Sequence, residues 1–274
     1  MHQGSFDKMK AFRDGYLPEY RDSPLEILDI GSQIVTERQL NYRPLFGSPP
    51  WSYTGMDIEA GENVDVVVRN PYDWKEIPAE SFDVILSGQT LEHVKFFWVT
   101  VLEIVRSLKE GGVACLIAPG AGEEHRFPVD CWRFYRDGMA ALCDYAGART
   151  VEVFTHWKGL HYPDGSERWR DSCVVLQKPR LDDRERARFH ERVEMQKRAL
   201  PGMDGGFLAP LSPVPDRRPP SGFAEMTSRD VFTRFERERE EEALRQPLRL
   251  RRRLIRKRWK AFVRSFTQPL RDWE

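Results

Sequence analysis

Short apolar runs alternate with helical patterns between residues 25 and 177. Seven of these runs have the length and composition of strands, and they cover residues 25–30, 53–56, 64–68, 82–86, 113–118, 150–154 and 172–176. Strands that alternate with helices are typical of a mostly parallel sheet covered by helices on both faces. The pattern therefore predicts an α/β domain with a seven-stranded, mostly parallel sheet.

Helices are predicted where apolar residues recur every three or four positions. The helix between the fourth and fifth strands has one apolar face, formed by Val94, Phe97, Val101, Ile104 and Leu108. Gly111 and Gly112 are expected to end it. A later helix is predicted from Asp137, as its N-cap, to Gly147, where a left-handed C-cap costs least. A short helix ahead of the first strand is predicted from Met9, Phe12 and Tyr16.

Strand patterns stop near residue 179, and a different organisation follows. Residues 182–200 predict a charged helix, and residues 201–220, rich in proline and glycine, predict a linker. We expect one domain over residues 1–180 and a helical, proline-containing C-terminal extension over residues 181–274.

The extension ends in a basic segment with an apolar stripe formed by Leu248, Ile255, Trp259, Phe262 and Phe266. A basic amphipathic helix of this kind suits peripheral contact with an anionic membrane surface. The alternative is a helix that packs its stripe on the α/β domain or on a partner protein. Specific nucleic-acid binding is not expected, since basic charge alone supplies only nonspecific affinity.

Composition limits the classes of protein that remain. The 274 residues, 40% of them hydrophobic, are enough for one substantial core. The 43 basic and 43 acidic side chains cancel, so total charge predicts neither a nucleic-acid nor a membrane partner. Four widely spaced cysteines form no zinc-binding pair, and the first ten residues carry charges where a secretory signal is apolar. We expect a cytoplasmic protein with free thiols, peripheral at the inner membrane face if the basic helix binds lipid.

Candidate chemistry begins where the first two strands end. The segment LEILDIGSQ places Gly31 after the first strand, where a missing Cβ lets the backbone approach a ligand. A pyrophosphate would need the repeated glycines of G-x-G-x-x-G, but Ser32 and Gln33 follow instead. The second strand, YTGMDI, ends at Asp57, whose carboxylate is placed to accept both hydroxyls of a ribose. Together they favour a nucleoside without phosphates over NAD.

Two later motifs extend this pattern, FDVILSGQTLEHV at residues 82–94 and LKEGGVACLIAPG at residues 108–120. In this order, the four motifs resemble class I S-adenosylmethionine-dependent methyltransferases of the type 11-like branch, over residues 25–177. The resemblance implies a Rossmann-like fold and S-adenosyl-L-methionine as the cofactor. One departure is Gln33, which stands where the family has its second glycine.

The resemblance also implies roles for individual residues. Asp29, Gly31 and Ser32 would line the methionine end of the cofactor, and Asp57 and Ile58 would bind the ribose. Tyr72, Asp73 and Trp74 would contact the adenine, and Ser87, Gly88 and Gln89 would form the floor near the sulfonium. Gln33 is also expected to bind the cofactor, with no part of it assigned.

The loop after the fifth strand, GAGEEHRFPVDCWRFYRDG, is the predicted acceptor wall. It resembles a subgroup often associated with bacterial polysaccharide or glycolipid assembly, which implies O-methylation of a saccharide. A sugar hydroxyl benefits from a base, and histidine suits that task. His93 and His125 are the candidates, with His125 as the general base. Asp130 would orient His125, or pair with Arg126 or Arg133.

Several alternatives stay open. His93 would otherwise be a turn histidine that caps a helix or touches the cofactor. A metal held by His125, Asp130 and Glu123 or Glu124 would orient a sugar diol, but spacing does not demand it, so no metal is predicted. The alternative functions are N- or C-methylation of a small metabolite, and a noncatalytic scaffold that binds S-adenosylmethionine.

Overall fold

A computed structural model describes residues 1–36, 39–156, 161–200, 237 and 241. The chain divides into two compact units, Met1–Pro213 and Val214–Glu274. The predicted linker and the basic amphipathic helix lie outside the described residues, and the predicted domain boundary at residue 180 stays a prediction. No helix in the described part of the chain is both long enough and apolar enough to span a membrane.

The first unit contains one seven-stranded sheet, with the strand order β3-β2-β1-β4-β5-β7-β6. Its strands are β1 (Glu26–Ile30), β2 (Ser52–Asp57), β3 (Val66–Val67), β4 (Phe82–Gly88), β5 (Leu108–Ala118), β6 (Arg149–Thr155) and β7 (Ser172–Gln177). All neighbours are parallel except β7, which runs antiparallel to both β5 and β6. The predicted Rossmann-like sheet is confirmed, with strand ends that differ from the prediction by a few residues.

The helices of this unit are α1 (Gln3–Tyr16), α2 (Arg43–Phe46), α3 (Phe97–Ser107), α4 (Arg136–Ala146) and α5 (Asp183–Ala199). Successive residues of a strand point to opposite faces of the sheet. In β1, Leu28 belongs to the core shared with α3, α4 and α5, while Ile27 belongs to the core beneath α1. Both faces of the central strands are therefore buried, which is why their sequences are almost continuously apolar.

Two helix ends differ from the sequence prediction. α3 ends at Ser107, and the next residue is already extended, so Gly111 and Gly112 lie within β5 and do not end the helix. The N-cap of α4 is Tyr135, and Asp137 lies in the first turn, where a carboxylate interacts favourably with the helix dipole. Gly147 ends α4 in the left-handed region with φ of 69°, as predicted.

α5 is attached to the sheet unit through its apolar face and one buried charge cluster. A capping box formed by Asp182 and Glu185 fixes its beginning. Near its end, Lys197 Nζ lies 2.8 Å from Glu103 Oε1 and 2.9 Å from Asp73 Oδ1. Because Glu103 is fully buried on α3, this cluster joins α5 to the helix layer.

The strand order reverses its direction between β1 and β4. Ligands of open α/β sheets bind at such a point, outside the carboxyl ends of the strands. In this sheet, the residues that follow β1, β2 and β4 are therefore brought to one edge.

Candidate functional site

A cavity of about 400 Å³ lies at this edge of the sheet. Its size falls within the range of small-molecule sites. Residues from the ends of three strands and from the loop after β5 share its wall, among them Gly31, Asp57, Ile58, Gln89, His93 and His125. The structure thus brings together residues that are distant in sequence and that were predicted to serve one site.

The turn after β1 depends on the glycine at its centre. Gly31 has φ of +74°, and a Cβ at this position would collide with the side chain of Thr90. Its N–H donates to the carbonyl of Met56 at 2.9 Å, which ties the turn to the end of β2. A side chain at Gly31 would therefore both strain the backbone and push into Thr90.

Asp57 lies on the cavity wall and also holds the turn in place. Its Oδ2 accepts a hydrogen bond from the amide of Gln33 at 3.0 Å, and its Oδ1 accepts one from the amide of Ile58 at 2.7 Å. Burial raises the pKa of Asp57, although these backbone hydrogen bonds act to lower it. A carboxylate has about four lone-pair sites, so acceptor capacity remains for a diol such as a ribose.

Asp29 and Ser32 lie behind the turn rather than on the cavity wall. The Tyr53 hydroxyl donates to Asp29, which is buried, and Ser32 Oγ donates to the carbonyl of Asn63 at 2.9 Å. Burial raises the pKa of Asp29 to about 7, and the hydrogen bond from Tyr53 opposes that shift. These contacts fix the shape of the turn.

The raised pKa of Asp29 leads to an expected pH dependence of stability. Because the unfolded-state pKa is about 3.9, folded Asp29 binds more protons between about pH 4 and pH 7. The contribution of Asp29 to the free energy of unfolding must then fall as pH rises through this window. Asp29→Asn keeps an acceptor for Tyr53 without titrating, so its stability relative to the unaltered protein should be higher at pH 8 than at pH 5. Urea unfolding without cofactor measures this, and an equal difference at both pH values would contradict it.

The three residues predicted to contact adenine have different surroundings in the structure, and only one of them lines the cavity. Trp74 lines the cavity beside Pro71. Tyr72 is buried with its ring against Phe96, and Asp73 pairs with Lys197. Of the three, the structure brings Trp74 to the cavity.

At the end of β4, too, only one of the three predicted cofactor residues lines the cavity. Ser87 is buried within the strand, and a Cβ on Gly88 would collide with the ring of Tyr42. Gln89 lines the cavity with φ of +61°, and its Nε2 donates to Asp171 at 3.3 Å. The missing side chain at Gly88 leaves room for Tyr42, and the backbone turns at the next residue, Gln89, which reaches the cavity.

His93 and His125 meet on the cavity wall, and we call this part of the wall the histidine end. Their ring centroids are 4.9 Å apart, with the planes nearly perpendicular. His93 Nδ1 lies 2.6 Å from the carbonyl oxygen of Val129, and because a carbonyl only accepts, Nδ1 must carry the proton. Burial is the main cause that lowers the pKa of both imidazoles, which favours their neutral forms.

Asp130 contacts both His125 and Arg133, which the sequence suggested as alternative partners. Its Oδ2 lies 3.3 Å from His125 Nδ1 and accepts the His125 amide at 2.7 Å. Arg133 donates to both carboxylate oxygens, at 2.6 and 2.7 Å. Although burial acts to raise it, the hydrogen bonds from Arg133 and His125 lower the pKa of Asp130. A fixed, ionised carboxylate therefore faces Nδ1 of His125.

Glu92 is a buried acid that the sequence analysis did not single out. Its Oε1 lies 3.7 Å from His93 Nε2, and the side chain is fully buried. Burial raises the pKa of Glu92 to about 8. The LEHV motif places Glu92 directly before His93 in the sequence, but only the fold shows that the Glu92 carboxylate faces the imidazole.

Aromatic rings border the histidine end of the cavity. The ring of Trp169 lies 4.6 Å from that of His125, and Phe127, 59% exposed, lies 6.2 Å from it. Trp169 belongs to the segment between β6 and β7. The wall therefore combines imidazoles with large apolar surfaces.

The turn and Asp57 fit the nucleoside and amino-acid parts of S-adenosylmethionine. Gly31 keeps the turn free of a side chain, Asp57 offers oxygen acceptors, and Ile58 presents an apolar, partly exposed flank. The same residues do not provide the repeated glycines that hold a pyrophosphate.

A family model described as a methyltransferase domain matches residues 45–116, from α2 to β5. No curated protein matches the sequence.

Solved structures similar to the chain include two S-adenosylmethionine-dependent methyltransferases from archaea. The one from Methanosarcina mazei is 18% identical with a TM-score of 0.45, covering 59% of this chain and 95% of its own. The one from Archaeoglobus fulgidus is 14% identical with a TM-score of 0.46, covering 64% and 95%.

A third is the Haemonchus contortus phosphoethanolamine N-methyltransferase 2 in complex with S-adenosyl-L-methionine, 14% identical with a TM-score of 0.44, covering 64% of this chain and 52% of its own. Residues 45–116 are similar to a methyltransferase domain. The chain is an enzyme, and its cofactor is S-adenosyl-L-methionine.

Proposed function

We propose that this enzyme methylates a hydroxyl oxygen of a saccharide, in a polysaccharide, a glycolipid or a sugar-containing metabolite. One observation carries the proposal, namely that a single cavity joins the Gly31 turn to the pair formed by His93 and His125. A cofactor held at the turn and an acceptor held at the histidines would occupy the same cavity.

The cofactor would be held by Gly31, Gln33, Asp57 and Ile58, with Trp74 and Gln89 on the neighbouring wall. When bound, S-adenosylmethionine supplies a methyl group on a positively charged sulfur, and the acceptor oxygen receives this methyl as the carbon–sulfur bond breaks towards sulfur. The wall residues bring the two reactants into one geometry, which is the main requirement of a displacement.

The histidine end supports an oxygen acceptor. A neutral sugar hydroxyl is a weak nucleophile that benefits from a base to remove its proton, whereas a neutral amine is nucleophilic enough without one. We propose that His125 and His93, with Asp130 positioning His125, promote the removal of that proton. Since Nδ1 of each ring faces an oxygen acceptor, Nε2 is the atom left for this chemistry.

The aromatic border supports a saccharide among hydroxyl compounds. The rings of Trp169 and Phe127 stand beside the imidazoles, and Trp132 is 39% exposed on the same loop. Flat apolar faces of this kind cover the C–H surfaces of a sugar while leaving its hydroxyls to polar groups.

The test uses the full-length protein, methyl-¹³C S-adenosylmethionine and a panel of monosaccharides, oligosaccharides, glycolipids and small amines. NMR of the products is expected to show a new methyl ether on a sugar carbon. Labelled methyl on nitrogen or carbon would favour the alternative, N- or C-methylation of a metabolite. Cofactor binding without any transfer across the panel would favour a noncatalytic scaffold.

A further inference from the structure

We infer that Glu92, His93 and His125 bind a divalent transition-metal ion in the cavity wall. The role given to the ion below rests on the proposed function, whereas its binding depends only on the three side chains.

The three side chains are already close enough to share an ion. One ligand atom from each lies within 4.8 Å of the others, and Glu92 Oε1 lies 3.7 Å from His93 Nε2. Atoms bound to one tetrahedral zinc ion at about 2.1 Å lie about 3.4 Å apart. The 3.7 Å pair is therefore almost in coordination range, and the remaining ligand atoms would have to approach by at most about 1.4 Å.

Both imidazoles are oriented as metal ligands are. His93 Nδ1 donates to the carbonyl of Val129 at 2.6 Å, and His125 Nδ1 lies 3.3 Å from a carboxylate oxygen of Asp130. Histidines that bind metals usually direct their other ring nitrogen to a carbonyl or carboxylate, which fixes the tautomer and the ring plane. The hydrogen bond to Val129 assigns the lone pair of His93 to Nε2, and the nearby Asp130 carboxylate favours the same tautomer of His125.

Glu92 provides an independent observation. Its side chain is fully buried, and neither carboxylate oxygen has a hydrogen-bond partner among the described residues. Buried carboxylates are ordinarily paired with a charge or bound to a metal, since an unpartnered one is costly. His93 Nε2, which lies 3.7 Å from Glu92 Oε1, itself carries a lone pair, and a cation between the two atoms would satisfy both.

The donor set indicates the class of ion. Two imidazole nitrogens and one carboxylate oxygen are typical of catalytic zinc sites and of the facial triad that binds ferrous iron, both of which keep open positions. Magnesium prefers a shell of oxygen ligands. Because His93 and His125 line the cavity, the open positions would face an acceptor.

In this role the histidines promote proton removal by holding the ion, and they do not accept the proton themselves. A hydroxyl bound to a divalent cation has a lowered pKa, as bound water does. The O–H bond breaks while the oxygen stays on the ion, and the proton passes to solvent water. Asp130, which the sequence suggested as a ligand, instead faces Nδ1 of His125 and is held by Arg133, so it is a positioning residue.

The experiment is a calorimetric titration of untagged, full-length, EDTA-treated protein with Zn²⁺ and, separately, with Mg²⁺. We expect one Zn²⁺ per chain and much weaker binding of Mg²⁺. Glu92→Gln, which has nearly the same volume, should lower the Zn²⁺ affinity at least about 10-fold, and Asp130→Asn should lower it by about 10–100-fold. Glu124→Gln, in the same loop but exposed, is the matched control and should bind Zn²⁺ normally.

The proposal is overturned if Glu92→Gln binds Zn²⁺ as tightly as the unaltered protein, or if Mg²⁺ binds more tightly than Zn²⁺. Should Glu92→Gln fail to fold by circular dichroism, His125→Gln makes the same comparison at a partly exposed position. Saccharide methylation that persists in the metal-free protein would overturn the role of the ion and leave the proposed function intact. Zn²⁺ binding without saccharide methylation would support the site and contradict the proposed function.

Discussion

Replacing His125 with alanine is expected to lower the rate of methyl transfer by roughly 10²–10⁴-fold, the usual contribution of a group that promotes proton transfer. The affinity for S-adenosylmethionine should stay unchanged, because the proposed cofactor contacts are made by the Gly31 turn and Asp57 and not by His125. The two quantities are measured separately, by initial rates with the methylated saccharide and by calorimetry without it.

The physical reason is the lone pair on His125 Nε2. Asp130 and the amide of His125 fix the ring so that Nδ1 faces a carboxylate, and the remaining nitrogen faces the cavity. Alanine removes that lone pair, so the loss is expected whether Nε2 accepts the acceptor proton or binds a cation that acidifies the hydroxyl. The measured rate thus tests whether His125 promotes proton removal, and the Zn²⁺ titration tests whether it does so by binding a cation.

His161→Ala is the matched control. This histidine is 98% exposed and pairs with Glu167 at 3.0 Å, away from the cavity wall. It should retain full activity. A normal rate for His125→Ala would mean that proton removal does not depend on this imidazole, and the histidine end would lose its proposed role.

The sheet was predictable from the sequence because each central strand repeats the same local pattern of apolar residues. Residues such as Leu28 and Ile85 are apolar because both faces of their strands are covered, and that requirement repeats along every central strand. Gly31 and Asp57 were predictable for a related reason, since each directly follows or ends a buried strand, and parallel strands bring their carboxyl ends to one edge.

The helix ends were less predictable because the sequence offers competing signals. Gly111 and Gly112 are typical of the end of a helix, yet the amide of Gly111 donates a hydrogen bond to the carbonyl of Lys178, which is distant in the sequence. This long-range backbone pairing favours an extended conformation, so both glycines lie within β5. No local pattern contains that information.

The histidine end was predictable only in part for the same reason. His93 and His125 were both identified, but their contact depends on the path of the loop after β5, which Arg133 fixes by holding Asp130. Glu92 was missed because an acid beside a histidine in a turn usually faces solvent. Its burial follows from its place in the short helical turn Leu91–His93, in which Leu91 is buried as well.

Replacing Asp57 with alanine is expected to raise the dissociation constant of S-adenosylmethionine by roughly 10–100-fold. Hydrogen bonds to a charged group contribute about 1.5–3 kcal/mol, and each 1.4 kcal/mol is about a factor of ten in affinity. Two effects combine, since the ribose loses its acceptor and the amides of Gln33 and Ile58 lose the carboxylate that holds the turn.

Two further variants separate these effects. Asp57→Asn retains one acceptor oxygen and should lie between alanine and the unaltered protein, because it can still hold part of the turn. Asp137→Ala removes an exposed carboxylate on α4 and should bind the cofactor normally. Calorimetry gives the three dissociation constants, and thermal unfolding without cofactor shows whether each variant is folded. If Asp57→Ala binds as tightly as Asp137→Ala, the ribose does not use this strand end, and the cofactor would have to lie elsewhere along the cavity wall.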